Sequence, residues 1–273
     1  MDGRIQKQLI IGLVFVLILI GISYGIYSSF APEVSCVDGI KNGQEGGVDC
    51  GTLACGIICP VPVQAPQVKS IQRIYVPDTD GTSDVVIQIY NPNTEYGVAS
   101  GVYDLVIKDS SGVELDRLSG QQFYMLPGQT KYLVLTVVKG LALGEESVEI
   151  KNVQWEKLDM PNNIVNFILR RKDYHFIQKG TELTAVMYND SNYDFDKIDI
   201  AVILFDDTDN IVGVNKTDIR TFVSKTERGF NVVWPFVLPG NVVRQDVEAS
   251  TNLFENSNFI KSYGSQEKFQ KFY

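Results

Sequence analysis

The sequence predicts an all-β body of two tandem β-sandwiches, preceded by one N-terminal transmembrane helix and a small disulfide-rich module. Three observations carry that prediction. No charge falls between Gln8 and Pro32; all four Cys of the 273-residue chain lie between Cys36 and Cys59. From about residue 67, short runs rich in Val, Ile, Tyr and Phe alternate with Gly/Asp/Asn/Pro turns every ~8–12 positions.

The apolar run comes first. Leu9 to Ile22 is almost entirely Leu, Ile, Val, Phe and Gly, and at ~1.5 Å per residue the uncharged stretch is long enough for a bilayer core of ~30 Å. Tyr24 and Tyr27 fall near its far end, where amphipathic rings favour the headgroup zone. Arg4 and Lys7 precede it, and the first charges beyond it are Glu33 and Asp38. The positive-inside bias therefore expects a cytoplasmic tail over 1–8, a span over 9–30 and an extracytoplasmic bulk. A cleaved signal peptide would need a shorter apolar region, about 7–15 residues, ending at a small-x-small site. No clean site of that kind follows.

Next, Cys36, Cys50, Cys55 and Cys59 mark a module over 36–59 with spacing C-x13-C-x4-C-x3-C. Local clustering in a Gly-rich segment outside a membrane reads as two disulfides stapling a piece too small for its own core. The spacing leaves all three pairings open. Asp38, Asn42, Glu45 and Asp49 place hard oxygen donors in the loop between the first two Cys, a composition suited to Ca²⁺. The same residues equally suit Asx-turns around the disulfides.

A linker over 60–66, with Pro60, Pro62 and Pro66, favours extended polyproline II and acts as a spacer. The body then divides into β-sandwich 1 over 67–159 and β-sandwich 2 over 160–258, with a polar tail over 259–273. An internal repeat supports the division. Tyr90-Asn91-Pro92-Asn93 corresponds to Tyr188-Asn189-Asp190-Ser191, and each is followed by a Tyr, an alternating strand and an acidic turn, Asp109 to Gly112 and Asp206 to Asn210.

Two resemblances follow from these motifs. Cys36 to Cys59, with Asp38-Gly39-Ile40, Asn42, Glu45 and Val48-Asp49-Cys50-Gly51, resembles a short Cys-rich module of exported bacterial, CPR-type surface proteins, departing from it at Thr52 and in the last spacing. Ile87 to Asn93, Tyr96-Gly97, Tyr103 to Ile107 and Leu126-Pro127-Gly128, repeated as Ala185 to Asn189 and Ile198 to Asp206, resemble the late-embryogenesis-abundant type 14 and FxLYD-type domains. That second resemblance implies Ig-like sandwiches that serve as binding or structural modules, with no catalytic centre to carry over.

Composition narrows the function classes. With 33 acidic against 24 basic residues, a net charge of −9 and no Lys/Arg-rich run, the chain lacks the clustered cations a nucleic-acid partner needs. A single His, His175, excludes sites built on two imidazoles and has no evident nucleophile beside it. Trp155 and Trp234 sit in apolar strand contexts and read as core, and Asp206, Asp207 and Asp209 read as turn residues. Asn189 and Asn215 each begin an N-x-S/T sequon in a turn expected to be exposed. The expectation is a non-enzymatic, membrane-anchored protein at the cell surface, without a cofactor unless Ca²⁺ binds the Cys-rich module. Its partner would be another surface protein or an envelope polymer. The alternatives are an exported carbohydrate-active or other hydrolytic enzyme on the same scaffold, and a protective protein of the late-embryogenesis type.

Overall fold

The structure, a computed structural model, describes residues 3–30, 35–59, 63–77, 81–158, 165–238 and 240–257; within the first stretch, side chains are described for Gln8 and 10–26. The expected tail over 259–273, the Pro60 to Pro62 part of the linker and the boundary near 159–161 lie outside the described residues. The chain divides into two compact units, Met1–Pro62 and Val63–Tyr273.

In the first unit, helix α1 runs Gly3–Phe30, 28 residues, where the apolar run predicted a helix. The expectation that it spans a membrane over 9–30 is not supported. Among the described residues no helix is long and apolar enough to cross one. Beyond the helix, the Cys-rich module is mostly turns, with isolated bridges Gly47 to Cys50 and Gly51 to Ile57. Its two disulfides join Cys36 to Cys55 and Cys50 to Cys59, selecting one of the three pairings.

Among its described residues the second unit is all-β, and the strands fall into two sets of six. The first set is β1 (Gln67–Tyr75), β2 (Thr82–Tyr90), β3 (Tyr96–Lys108), β4 (Glu114–Met125), β5 (Thr130–Lys139) and β6 (Glu145–Lys157); the second is β7 (Phe167–Ile177), β8 (Gly180–Asn189), β9 (Phe195–Phe205), β10 (Ile211–Phe222), β11 (Glu227–Trp234) and β12 (Arg244–Ser250). The first set forms sheets β1-β2-β5 and β4-β3-β6, and the second forms β7-β8-β11 and β10-β9-β12. Shifting every strand number by six maps one pair of sheets onto the other. The duplication legible in the sequence is thus a duplication of topology.

Period-2 alternation builds each core. Val85, Ile87 and Ile89 of β2 enclose one apolar cluster with Leu105 and Ile107 of β3 and Leu133 and Leu135 of β5. Leu183, Ala185 and Met187 of β8 enclose a second with Ile198, Ile200, Val202 and Leu204 of β9 and the buried Trp234. The Trp234 indole N–H donates to the Val214 carbonyl at 3.1 Å. Gly180 turns β7 into β8 at φ 106°, where any side chain would collide with the Trp234 carbonyl.

Two Asn corners repeat with the sheets. Buried Asn91 donates through Nδ2 to the carbonyls of Tyr96 (2.8 Å) and Leu126 (3.0 Å). Buried Asn189 does the same to Tyr193 (2.8 Å) and Phe222 (3.1 Å). Each Asn Oδ1 accepts the backbone N–H two residues on, from Asn93 and Ser191. The acidic turns match as well. Asp109 Oδ1 accepts from Ser111 and Val113, and Asp206 Oδ1 accepts from Thr208 and Asn210. Those carboxylates close turns.

A third apolar cluster joins the two sandwiches. Ile74, Val86 and Val134, on the outer face of β1-β2-β5, pack with Ile203, Phe205 and Val214 on the outer face of β10-β9-β12. β2 and β9 are therefore largely buried on both faces, and the clean hydrophobic-in, polar-out pattern of a lone sandwich is lost there. At about 1.5–3 kcal/mol per buried Val or Ile, the seam makes the two sandwiches one packed body.

Candidate functional site

In the Cys-rich module the acidic loop is bound to itself. Asp49 accepts the backbone N–H of Asp38 (2.9 Å) and Gly39 (2.9 Å), and Asp38 accepts the N–H of Ile40 (2.9 Å) and the Asn42 amide (2.8 Å). Glu45, 7% exposed, accepts the N–H of Asn42 (3.2 Å) and Asp49 (3.3 Å) through one oxygen. Asn42 Oδ1 is buried and accepts no hydrogen bond among the described residues. Cys36, Glu45 and Cys55 converge, but both sulfurs are spent in the disulfide that joins them. The hydrogen bonds within this loop are of the kind that closes Asx-turns around disulfides.

Charge and concavity meet instead inside the β-body, in a cleft of about 580 Å³ between the sandwiches. Its floor is the end of β4 and the start of β5, and its far wall is β9, β10 and β12. Lys131, 6% exposed, lays its ammonium 3.2 Å from the ring centroid of Tyr124, a cation–π contact. The Tyr124 hydroxyl donates to Asp199 at 2.8 Å and lies 3.1 Å from the Ser250 hydroxyl. Lys197 pairs with the other oxygen of Asp199 at 2.7 Å.

The outer strand β5 meets the far wall through its backbone. Glu248 of β12 accepts the Tyr132 N–H at 3.1 Å, and Lys216 of β10 donates to the Val134 carbonyl at 2.9 Å. Two charged side chains of the second sandwich thus cap an edge strand of the first, which stops that edge from recruiting another strand.

Burial sets the electrostatics of the cleft. It pushes the Lys131 ammonium down to about 8, with Glu248 and Asp199 pulling the other way. It pushes the Glu248 carboxyl up to about 7, partly offset by the Tyr132 N–H and Lys131. Burial also pushes Asp199 up, but Lys197 and the Tyr124 hydroxyl outweigh it and hold that carboxyl below its usual range. Two carboxyls in one cleft are driven in opposite directions, and a cation is held among them without its usual hydration.

Elsewhere the charged groups are structural. On the outer face of β4-β3-β6, buried Asp104 takes Lys151 and Arg117, each at 2.8 Å, and the Gly120 N–H at 3.0 Å. Those partners, Lys151 first, hold its carboxyl well below the usual carboxylate range. His175 lies 3.0 Å from Asp173 on its own strand and 3.5 Å from Glu182 of β8, and its Nδ1 makes no hydrogen bond among the described residues. Trp155 packs half-buried against the first core. The two sequon amides are engaged in the fold, Asn189 within the corner and Asn215 on the Val233 carbonyl at 2.9 Å. Burial of Asn189 corrects the exposed turn expected for it.

Sequence reasoning missed Lys131, Tyr124, Asp199 and Glu248. One signal was present: alternation places Lys131 on the same strand face as Leu133 and Leu135, so a cation stands at a core position. Tyr124 and Asp199 lie 75 residues apart, and only the stacking of sheets brings them together.

No protein-family model and no curated protein matches this chain. Among solved structures, red sea bream transglutaminase is similar at 11% identity over 73% of this chain and 30% of that one, with a TM-score of 0.16. This chain thus spans less than a third of that structure's length, and the likeness carries no argument about function.

Proposed function

We propose that this is a membrane-anchored extracytoplasmic protein that presents two Ig-like domains as one rigid body, for adhesion or for assembly of an envelope complex. The observation that carries the reading is the seam of Ile74, Val86, Val134, Ile203, Phe205 and Val214. It locks the sandwiches so that their open faces keep a fixed spacing, as a presenting scaffold requires. Anchoring rests on α1, whose described apolar side chains, Ile10 to Ile26, are exposed around the whole circumference, the pattern of a helix that needs apolar surroundings. Disulfides in the next module suit an oxidising compartment.

The test is protease treatment of intact cells carrying the full chain, with alkaline extraction of their membranes. Cleavage within 67–250 from outside, and retention of the chain in the membrane pellet, are expected. A chain released by alkali, or protected until the cells are lysed, would overturn the proposal.

That Asp199 and Glu248 both line the cleft, the first paired with Lys197 and held ionised and the second pushed up by burial, favours a second reading, an exported hydrolase acting on carbohydrate there. Hydrolysis of nitrophenyl glycosides by the full chain, lost in Glu248→Gln, would support it. No turnover across a panel of such glycosides would remove it.

A further inference from the structure

Among the described residues the buried cation of the cleft, Lys131, meets the Tyr124 ring and no counter-ion. Among the described residues Lys131 forms neither an ion pair nor a hydrogen bond; Glu248 and Asp199 act on it only through space. Both are engaged elsewhere, Glu248 with the Tyr132 N–H and Asp199 with Lys197 and Tyr124. A buried unpaired ammonium forfeits its hydration without a counter-ion in return, and a well-packed apolar residue would fill the same place without that cost.

We infer that the cleft between the sandwiches binds a small, singly charged, hydroxylated carboxylate, such as a sugar acid, whose carboxylate meets the Lys131 ammonium. The inference rests on reading the body as a binding module and names the ligand class that module takes. The cleft volume, about 580 Å³, lies within the ~300–1,000 Å³ of ordinary ligand pockets. Four acids (Asp196, Asp199, Glu248 and Glu255) and three lysines (Lys131, Lys197 and Lys216) line it. A slightly acidic lining repels phosphate dianions more than a monoanion seated at Lys131, which among the described residues has neither the ion pair of Lys197 nor the carbonyl hydrogen bond of Lys216. Ser100, Gln122 and Thr217 also line the cleft, and their side chains form no hydrogen bond among the described residues. They supply the hydroxyl and amide groups that recognise a polyhydroxylated body.

The experiment titrates the detergent-solubilised full chain with glucuronate, glucose and inorganic phosphate by calorimetry. Saturable glucuronate binding at least tenfold tighter than either control is expected. Lys131→Met should lose at least tenfold of it while melting no lower than wild type. Should that variant fail to fold, Ser100→Ala/Gln122→Ala, which touches no internal hydrogen bond, should weaken glucuronate binding about threefold to tenfold. Equal binding of glucose, preference for phosphate, or binding unchanged in a folded Lys131→Met would overturn the assignment. A pull-down with isolated envelope polymer separates the two levels. Capture that survives Lys131→Met keeps the presenting function and overturns the cleft as its ligand site.

Discussion

Asn189 stands in the second sandwich where Asn91 stands in the first: each is fully buried, and each donates its amide to two backbone carbonyls, one four or five residues ahead and one at least thirty residues ahead. A side-chain amide is used here as a backbone staple, tying the turn after the second strand of each copy to a later corner.

Asn91→Ala and Asn189→Ala should therefore cost similar amounts, about 2–4 kcal/mol each, because each strands two buried carbonyls. Urea unfolding checks it. A loss under ~0.5 kcal/mol at either site would mean water replaces the amide. Expression in a glycosylating host should leave Asn189 unmodified, read by intact mass.

The cleft pair should shape the pH dependence of stability. Glu248 has a raised folded pKa, so its carboxyl favours the folded state below the unfolded value near 4.5, and that contribution is lost as pH climbs toward 7. Lys131 has a lowered folded pKa, so the penalty on its charge persists from low pH and is relieved as pH rises from about 8 toward 10.5. Asp199, Lys197, Lys216, Tyr124 and Tyr132 face the same space. Stability measured as a difference from Glu248→Gln should fall between pH 4.5 and 7 by on the order of 2–4 kcal/mol. The difference from Lys131→Met should rise above pH 8. Flat difference curves would mean the two groups are hydrated.

The seam predicts coupled unfolding. Ile203 is fully buried between the sandwiches, and Ile203→Ala should cost about 2–4 kcal/mol through the cavity it leaves. Fluorescence of Trp155 and Trp234, one in each sandwich, should report a single transition in the wild type and two separated ones in the variant. Coincident transitions in Ile203→Ala would show that the remaining contacts suffice.

Val137 sits at φ 56° in a bulge of β5, 62% exposed, with its N–H donated to Asp84 at 2.8 Å. A β-branched residue is strained in the left-handed region, which Asn tolerates. Val137→Asn should raise stability by about 0.5–1 kcal/mol, read as a higher melting temperature. A lower one would mean that Val137 contributes packing on the exposed strand.

Peptide mapping without reduction should recover Cys36 with Cys55 and Cys50 with Cys59. Closing loops of 19 and 9 residues restrains the unfolded module by roughly 3 kcal/mol each on a chain-entropy basis. Cys36→Ser/Cys55→Ser should expose the module to trypsin at Lys41, while the β-body, which contains no Cys, keeps its melting temperature.

Local chemistry determined what could be read along the chain. Alternation in Val85 to Ile89 and Leu183 to Met187 marks strands because the side-chain period of a strand is two. The Tyr-Asn corners and the Asp-led turns recur because each closes its own loop within a few residues. The uncharged run predicted a helix, and the clustered Cys predicted two disulfides. Pairing and proximity depended on the folded chain. Which Cys meets which is a matter of distance after the loop closes. The burial of β2 and β9 on both faces depends on a sheet from the other copy, and the joining of Lys131, Tyr124, Asp199 and Glu248 depends on how two sandwiches stack. No local period encodes those contacts, because their energy comes from apolar surface and charge removed from water together by segments far apart in sequence.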